Sequence, residues 1–188
     1  MSATTPDRPT LLLVSGSLRE GSTNTSTLRT VQELLADRSD GATGTLFAGM
    51  GELPHFNPDD DRDPLPGPVA ALRAAIAAAS GLIFCTPEYA GDMPGSLKNL
   101  LDWTVGGVEI ESKPTAWINV STSPAGAAGT HAALRTVLGY TGADIVDEAC
   151  VHVPVPRDAV DADGVIGERD LRVRIAAALT ALLTRVAG

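Results

Sequence analysis

Five times along this 188-residue chain, a short run of continuous apolar residues gives way to a longer segment with helical spacing. A run that is apolar at every position and bounded by turn residues fits a strand buried on both faces. Apolar residues three and four apart mark one face of a helix. Strand and helix in alternation point to a parallel sheet covered by helices on both sides.

The first run is "TLLLVS", Thr10–Ser15, and Leu28, Val31, Leu34 and Leu35 then recur at helical spacing. "GATGTLFAG" is a weaker second strand, and "LPHFNPDDDRDPLPGP" is a long loop whose acidic run is expected in solvent. "VAALRAAIAAAS" is a helix of strong formers, read as closed by Gly81. "GLIFCTP" is the third strand, and "PGSLKNLLDWTV" the next helix, with Pro94 in its first turn. "PTAWINVSTS" and "DIVDEACVHVPV" are strands four and five, separated by the helix "GTHAALRTVLGYTG". The closing helix carries Leu171, Ile175, Leu179 and Leu182 on its apolar face. The length fits one domain over 1–188, with no repeat and no low-complexity segment.

Charge narrows the function. Lys and Arg number 14 against 23 Asp and Glu, so the formal charge is 14 − 23 = −9. That is not the basic footprint of a nucleic-acid binder. No apolar run reaches the roughly 18 residues of a membrane span. The polar start "MSATTPDRPT" lacks a signal-peptide pattern, so a cytoplasmic, reducing location is expected. Cys85 and Cys150 sit in apolar stretches and read as small buried hydrophobes. No Cys/His cluster has metal-ligand spacing, and His55, His131 and His152 are scattered.

In sheets of this kind, ligands bind outside the carboxyl ends of the strands, at the switch in strand order. That rule nominates three loops, at 15–25, 86–95 and 121–129. The first, within "VSGSLREGSTNTSTL", offers hydroxyl or amide donors at Ser17, Ser22, Thr23, Asn24 and Thr25, with a guanidinium fork at Arg19. A helix opens directly after it, aiming free N–H groups and a positive dipole end at the loop. One hydroxyl would suffice for a helix cap, so this density points to a phosphate. The stretch has neither the G-x-G-x-x-G of a dinucleotide site nor the G-K-S/T ending of a triphosphate site. A bound monoester fits better than a phosphate in transfer.

The second loop, "TPEYAGDMPG", is stiffened by Pro87 and Pro94, and its glycines allow close backbone approach. Its peptide groups suit the edge of a flat heterocycle. Tyr89 serves either for stacking or for packing. Glu88 has no histidine or second carboxylate beside it in sequence, so a solvated or backbone-orienting role is preferred to a catalytic one. The third loop, "STSPAGAAG", is small and polar and leaves room for a planar group.

These residues carry a resemblance. "GSLREGSTN", "PEYAGDMPGSLKNLLDW", "ELPHFNPDDD" and "SPAGAAG" are similar to four segments of the NAD(P)H-dependent FMN reductase family, whose relatives include quinone, chromate and azo reductases. The resemblance implies an α/β, three-layer flavodoxin-like fold: a five-stranded parallel sheet in the order 2-1-3-4-5 with helices on both faces. It implies bound FMN with NADPH or NADH as co-substrate, and a homodimer or homotetramer. Carried over, Ser17, Arg19, Asn24 and Thr25 hold the phosphate. Pro87, Glu88, Tyr89, Ala90 and Gly91 border the isoalloxazine, and Ser121, Ser123 and Gly126 flank its other side. Ala90 departs from the family's usual Asn and Ala125 from its usual Gly.

The expected activity is transfer of hydride from NAD(P)H through FMN to a small acceptor: a quinone, azo or nitro compound, metal oxyanion or free flavin. The flavin carries that chemistry, so no catalytic side chain is assigned. The rivals are a flavodoxin-like electron carrier reduced by a protein partner, and an inert flavin-binding module. Leu97, Leu100, Leu101 and Trp103 exceed what one helix stripe needs, and are read as part of a subunit interface.

Overall fold

The computed structural model describes residues 8–188. Positions 1–7, on which most of the N-terminal reading rests, lie outside the described residues. The strands are β1 (Thr10–Ser15), β2 (Thr43–Leu46), β3 (Gly81–Cys85), β4 (Pro114–Asn119), β5 (Asp144–Ile145) and β6 (Val151–His152). The helices are α1 (Thr23–Ala36), α2 (Gly67–Ala78), α3 (Gly95–Asp102), α4 (Ala128–Tyr140) and α5 (Arg169–Ala187). The sheet runs β2-β1-β3-β4-β5, with β6 also beside β4, and every pairing is parallel. The expected order therefore stands.

Alternation along β1 divides the core. Leu11 and Leu13 pack with Leu28 and Val31 of α1 and Ile175 and Leu179 of α5. Leu12 and Val14 face the other way, onto Leu72 of α2, Leu97 of α3 and Leu134 of α4. The helical layers are thus α1 and α5 on one side and α2, α3 and α4 on the other. All four residues of the predicted C-terminal apolar face are buried.

Four expectations need correction. The fifth strand is not continuous: β5 pairs with the start of β4 and β6 with its end, and a 3₁₀ turn at Asp147–Ala149 separates them. The acidic pair Asp147–Glu148 stays outside while Ala149 tucks in, a pattern that a straight strand does not allow. Gly81 does not close α2; it opens β3, where an added Cβ would lie 3.0 Å from the Pro114 carbonyl oxygen. Pro94 is the cap residue before α3 rather than part of its first turn.

The interface reading of α3 fails as well. Leu97, Leu100, Leu101 and Trp103 are all buried within this chain. The proline-rich loop, whose acidic run alone was expected in solvent, folds back over α3. The Pro54 carbonyl accepts from Trp103 Nε1 at 2.8 Å and Asn99 Nδ2 at 2.9 Å. Phe56 meets Trp103 edge-on, with ring centroids 5.0 Å apart. Asp59 and Asp60 are exposed as expected, but Asp61 turns inward to Arg73 at 2.6 Å, with each side chain only 10% exposed. Arg73 also donates to the Trp103 carbonyl.

Candidate functional site

The three nominated loops meet at the carboxyl edge of the sheet, and two seams hold them together. Gly16 donates its N–H to the Cys85 carbonyl at 2.9 Å, and an added Cβ there would lie 2.1 Å from Thr86 Oγ1. A Cβ on Gly129 would lie 2.0 Å from the Gly91 carbonyl oxygen. Real Cβ atoms do not approach so closely, so these two positions are glycine because atoms of neighbouring loops fill the space. Glu88 adds a polar seam: its Oε2 accepts the Thr130 N–H, 3.1 Å away, in the first turn of α4. The carboxylate thus orients backbone.

The first loop is ordered from within. Ser22 caps α1, accepting from the Thr25 N–H at 3.1 Å, as Ser/Thr caps do. Thr25 Oγ1 lies 2.9 Å from Ser15 Oγ and 3.0 Å from Ser22 Oγ. Ser17 Oγ accepts from the Arg19 N–H at 3.3 Å. The first turn of α1 contains no acidic residue. Thr25 and Ser26 give their N–H groups to Ser22, whereas Thr23 and Asn24 give theirs to no acceptor among the described residues. A helix N-terminus in this state accepts an anion.

Two cavities adjoin this turn. One, of about 380 Å³, brings Asn24, Pro87, Glu88, Ser121 and Ser123 together, as the sequence predicted, and adds Thr23, Thr86, Val120, Thr122, Val155 and Arg157. The other, of about 480 Å³, holds Ser17, Arg19 and Thr25 beside Arg29, Phe47 and Met50. Of the predicted phosphate ligands, Asn24 thus lines the first cavity and Ser17, Arg19 and Thr25 the second. A larger cavity of about 840 Å³ lies at the amino edge of the sheet, around Pro9, Arg38 and Thr184, and includes none of the three loops.

Tyr89, Ala90, Gly91 and Gly126 line neither loop cavity. Tyr89 and Asp92 exchange backbone hydrogen bonds at 2.9 and 3.1 Å around a tight turn. Ala90 (φ +54°) and Gly91 (φ +82°) form its tip. Left-handed backbone costs a residue with a Cβ about 1–2 kcal/mol, which gives the family's usual Asn at position 90 a local advantage. Tyr89 is 53% exposed, free to cover a ligand from outside. Gly126 closes the third loop, accepting from Asn119 Nδ2 at 2.6 Å. Ala125, the second departure, is exposed and keeps an ordinary backbone.

Titratable groups surround this frame. Cys85 is fully buried and donates to Asn24 Oδ1 at 3.4 Å; burial raises its thiol pKa far above the usual range. Cys150 is half-buried and pushed up to about 11, again by burial. His152 Nε2 lies 2.8 Å from the Ser121 carbonyl, bracing the third loop from β6. His131 Nδ1 lies 2.9 Å from the Ala127 carbonyl, and burial lowers its pKa from the ordinary 6.5. The sequence reading left both histidines unassigned; the fold sets them under one loop. Val155 and Arg157 were missed too, although they follow the fifth strand, whose carboxyl end opens on the same edge. Among the described residues, no group of three or more His, Cys, Asp or Glu is arranged to hold a metal ion, and no helix is long and apolar enough to cross a membrane.

A parallel 2-1-3-4-5 sheet with helices on both faces defines a flavodoxin-like fold, and sequence comparison gives the family. Residues 9–156 match the model of the NADPH-dependent FMN reductases, and the chain belongs to that family. It is 33% identical over 165 residues to a 2-hydroxy-1,4-benzoquinone reductase of Burkholderia sp, covering 86% of this chain and 87% of that one. It is 33% identical over 174 residues to an NAD(P)H-dependent FMN reductase of Pseudomonas aeruginosa, covering 92% of each. Among solved structures, the flavoenzyme NAD(P)H:(acceptor) oxidoreductase FerB of Paracoccus denitrificans aligns with a TM-score of 0.75 at 28% identity, over 94% of this chain and 98% of that one.

Proposed function

We propose that 1–188 form one FMN-binding domain that passes reducing equivalents from NADPH or NADH to a small organic acceptor, with a quinone first among the candidates. The supporting observation is the cavity where all three loops meet at the free N-terminal turn of α1. Its donors are hydroxyl, amide and backbone groups with one guanidinium, that of Arg157, and they suit a phosphate monoester and the edge of a flavin. The quinone reading draws on the Burkholderia relative.

In this reading the residues act by binding and orienting. Ser17, Arg19, Asn24 and Thr25 hold the FMN phosphate around the α1 N-terminus. Pro87, Glu88, Tyr89, Ala90 and Gly91 border the ring, with Glu88 fixing the second loop to the third. Ser121, Ser123 and Gly126 shape its other side. FMN, when bound, supplies the hydride-accepting chemistry, so the protein needs no catalytic dyad. Cys85 occupies the oxygen of the Asn24 amide, leaving the amide nitrogen for the ligand.

A homodimer in the cytoplasm completes the proposal. Its support is the resemblance to the family; Val105 (64% exposed), Val108 (74%) and Tyr140 (91%), rather than the buried face of α3, are exposed apolar side chains available to an interface. The test is a visible spectrum of the purified protein, followed by anaerobic titration with NADH and NADPH and then a quinone. Bleaching by a nicotinamide and recovery with quinone is the expected result. No flavin after FMN addition sinks the reading. Flavin that ignores both nicotinamides favours the electron carrier instead.

A further inference from the structure

The residues assigned to the phosphate line two neighbouring cavities, and Arg19, in the cavity with Ser17, is the cation assigned among them. The N–H groups without acceptors belong to Thr23 and Asn24, and both residues line the other cavity. Asn24 is 8% exposed, and its amide nitrogen has no partner among the described residues. The cation lining that cavity is Arg157.

Arg157 stands in a 3₁₀ turn, Arg157–Ala159, just after the strand end. The Val155 N–H bonds the Val120 carbonyl at 3.1 Å, so this segment continues the sheet past β6, and the arginine that follows lines the cavity. Its guanidinium has no ion-pair partner among the described residues. The acid lining the same cavity, Glu88, is engaged by the Thr130 N–H on the far wall. Arg157 also lies one residue beyond the span matched by the family model, so it belongs to none of the family segments that assign ligands here.

We propose that Arg157 is a second cation on the phosphate of the bound cofactor, in addition to Arg19. The inference rests on the FMN reading above. An anion seated on the free N–H groups of Thr23 and Asn24 shares its cavity with Arg157, whereas Arg19 lines the neighbouring cavity. A guanidinium is suited to this role because its fork matches phosphate geometry and its charge is permanent.

The test compares FMN with riboflavin, which has the same ring and no phosphate, by calorimetry or flavin-fluorescence quenching. Arg157→Ala is expected to weaken FMN binding roughly tenfold or more, the scale of a charged hydrogen bond, and to leave riboflavin binding unchanged. Arg157→Lys is expected to recover part of the loss, because it returns the charge without the fork. Unaltered circular dichroism and melting are expected, since the side chain is exposed and unpaired. An equal loss for both flavins would place Arg157 on the ring and overturn the proposal. So would unchanged affinity for both. If the wild-type protein binds neither flavin, the cofactor reading fails instead, a separate result visible before any variant is made.

Discussion

The Glu88 carboxylate accepts the Thr130 backbone N–H at 3.1 Å, across 42 residues of sequence. One contact joins the loop after β3 to the helix after β4 and makes them a single wall of the cavity. Glu88→Ala therefore removes the hydrogen bond between the two loops and leaves the Gly91–Gly129 packing alone to hold them. Amide exchange at Thr130 is expected to accelerate, and flavin affinity to fall by about 1 kcal/mol, the scale of one hydrogen bond. Glu88→Gln keeps an acceptor in place and is expected to retain most of both. Matching losses in the two variants would mean that the charge, not the latch, matters.

Arg19 is the side chain that the sequence singles out as a phosphate clamp. Arg19→Ala is expected to weaken FMN binding by about 1.5–3 kcal/mol, the range for a charged hydrogen bond. Calorimetric titration checks it, and unchanged affinity would remove Arg19 from the site.

Neither glycine seam leaves room for a Cβ. At Gly16 the blocking atoms are Thr86 Oγ1 at 2.1 Å and Thr86 Cβ at 2.5 Å, and side-chain rotation moves only the first; at Gly129 the blocking atom is the Gly91 carbonyl oxygen at 2.0 Å. Gly129→Ala and Gly16→Ala are each expected to cost about 1–3 kcal/mol as overpacking. Chemical denaturation of both variants measures the losses, and a variant as stable as the parent would show that its loop yields without cost.

Asp61 and Arg73 form an ion pair with side chains only 10% exposed. Removing one partner leaves a charge stranded, at a cost of about 3–5 kcal/mol. Asp61→Ala is expected to show a loss of that size in urea unfolding, and the covering loop over Trp103 should become protease-sensitive. A loss below about 1 kcal/mol, the level of a surface pair, would show that the pair is solvated.

His131 ties stability to pH. Burial lowers its folded-state pKa below the ordinary 6.5. Between that lowered value and 6.5 the unfolded chain binds the proton that the folded chain resists, so stability rises with pH through this window. It is fully present above the window and lost as pH falls through it. Melting temperatures at about pH 5 and about pH 7.5 should differ, and His131→Asn should shrink the difference. An identical slope in that variant would assign the effect elsewhere.

The central strands β1, β3 and β4 were legible in the sequence because they are buried on both faces, and a short, wholly apolar run between turn residues fits little besides a buried strand. The first loop was legible because its hydroxyls outnumber what one cap needs. Three things were not. "DIVDEACVHVPV" carries enough apolar residues for a strand, and only tertiary packing decides that Asp147–Glu148 turn outward. The excess apolar character of α3 was visible, but its cause was not: the loop at 53–61 covers it, and loop position is a long-range property. Arg157 belongs to no motif, and its place depends on a strand end that adjoins the cavity only once the sheet is ordered.

The interruption between β5 and β6 bears on how this protein behaves in a crowded solution. An unpaired strand edge can recruit another chain, and short or broken edges recruit poorly. β5 offers two residues, β6 offers two, and the turn between them projects Asp147 and Glu148. Asp147 is paired with Arg135, and Asp144, at the start of the same edge, with Arg185. The β5–β6 edge of the sheet is thus charged and discontinuous, a barrier to edge-to-edge aggregation built into the strand that the sequence made look whole.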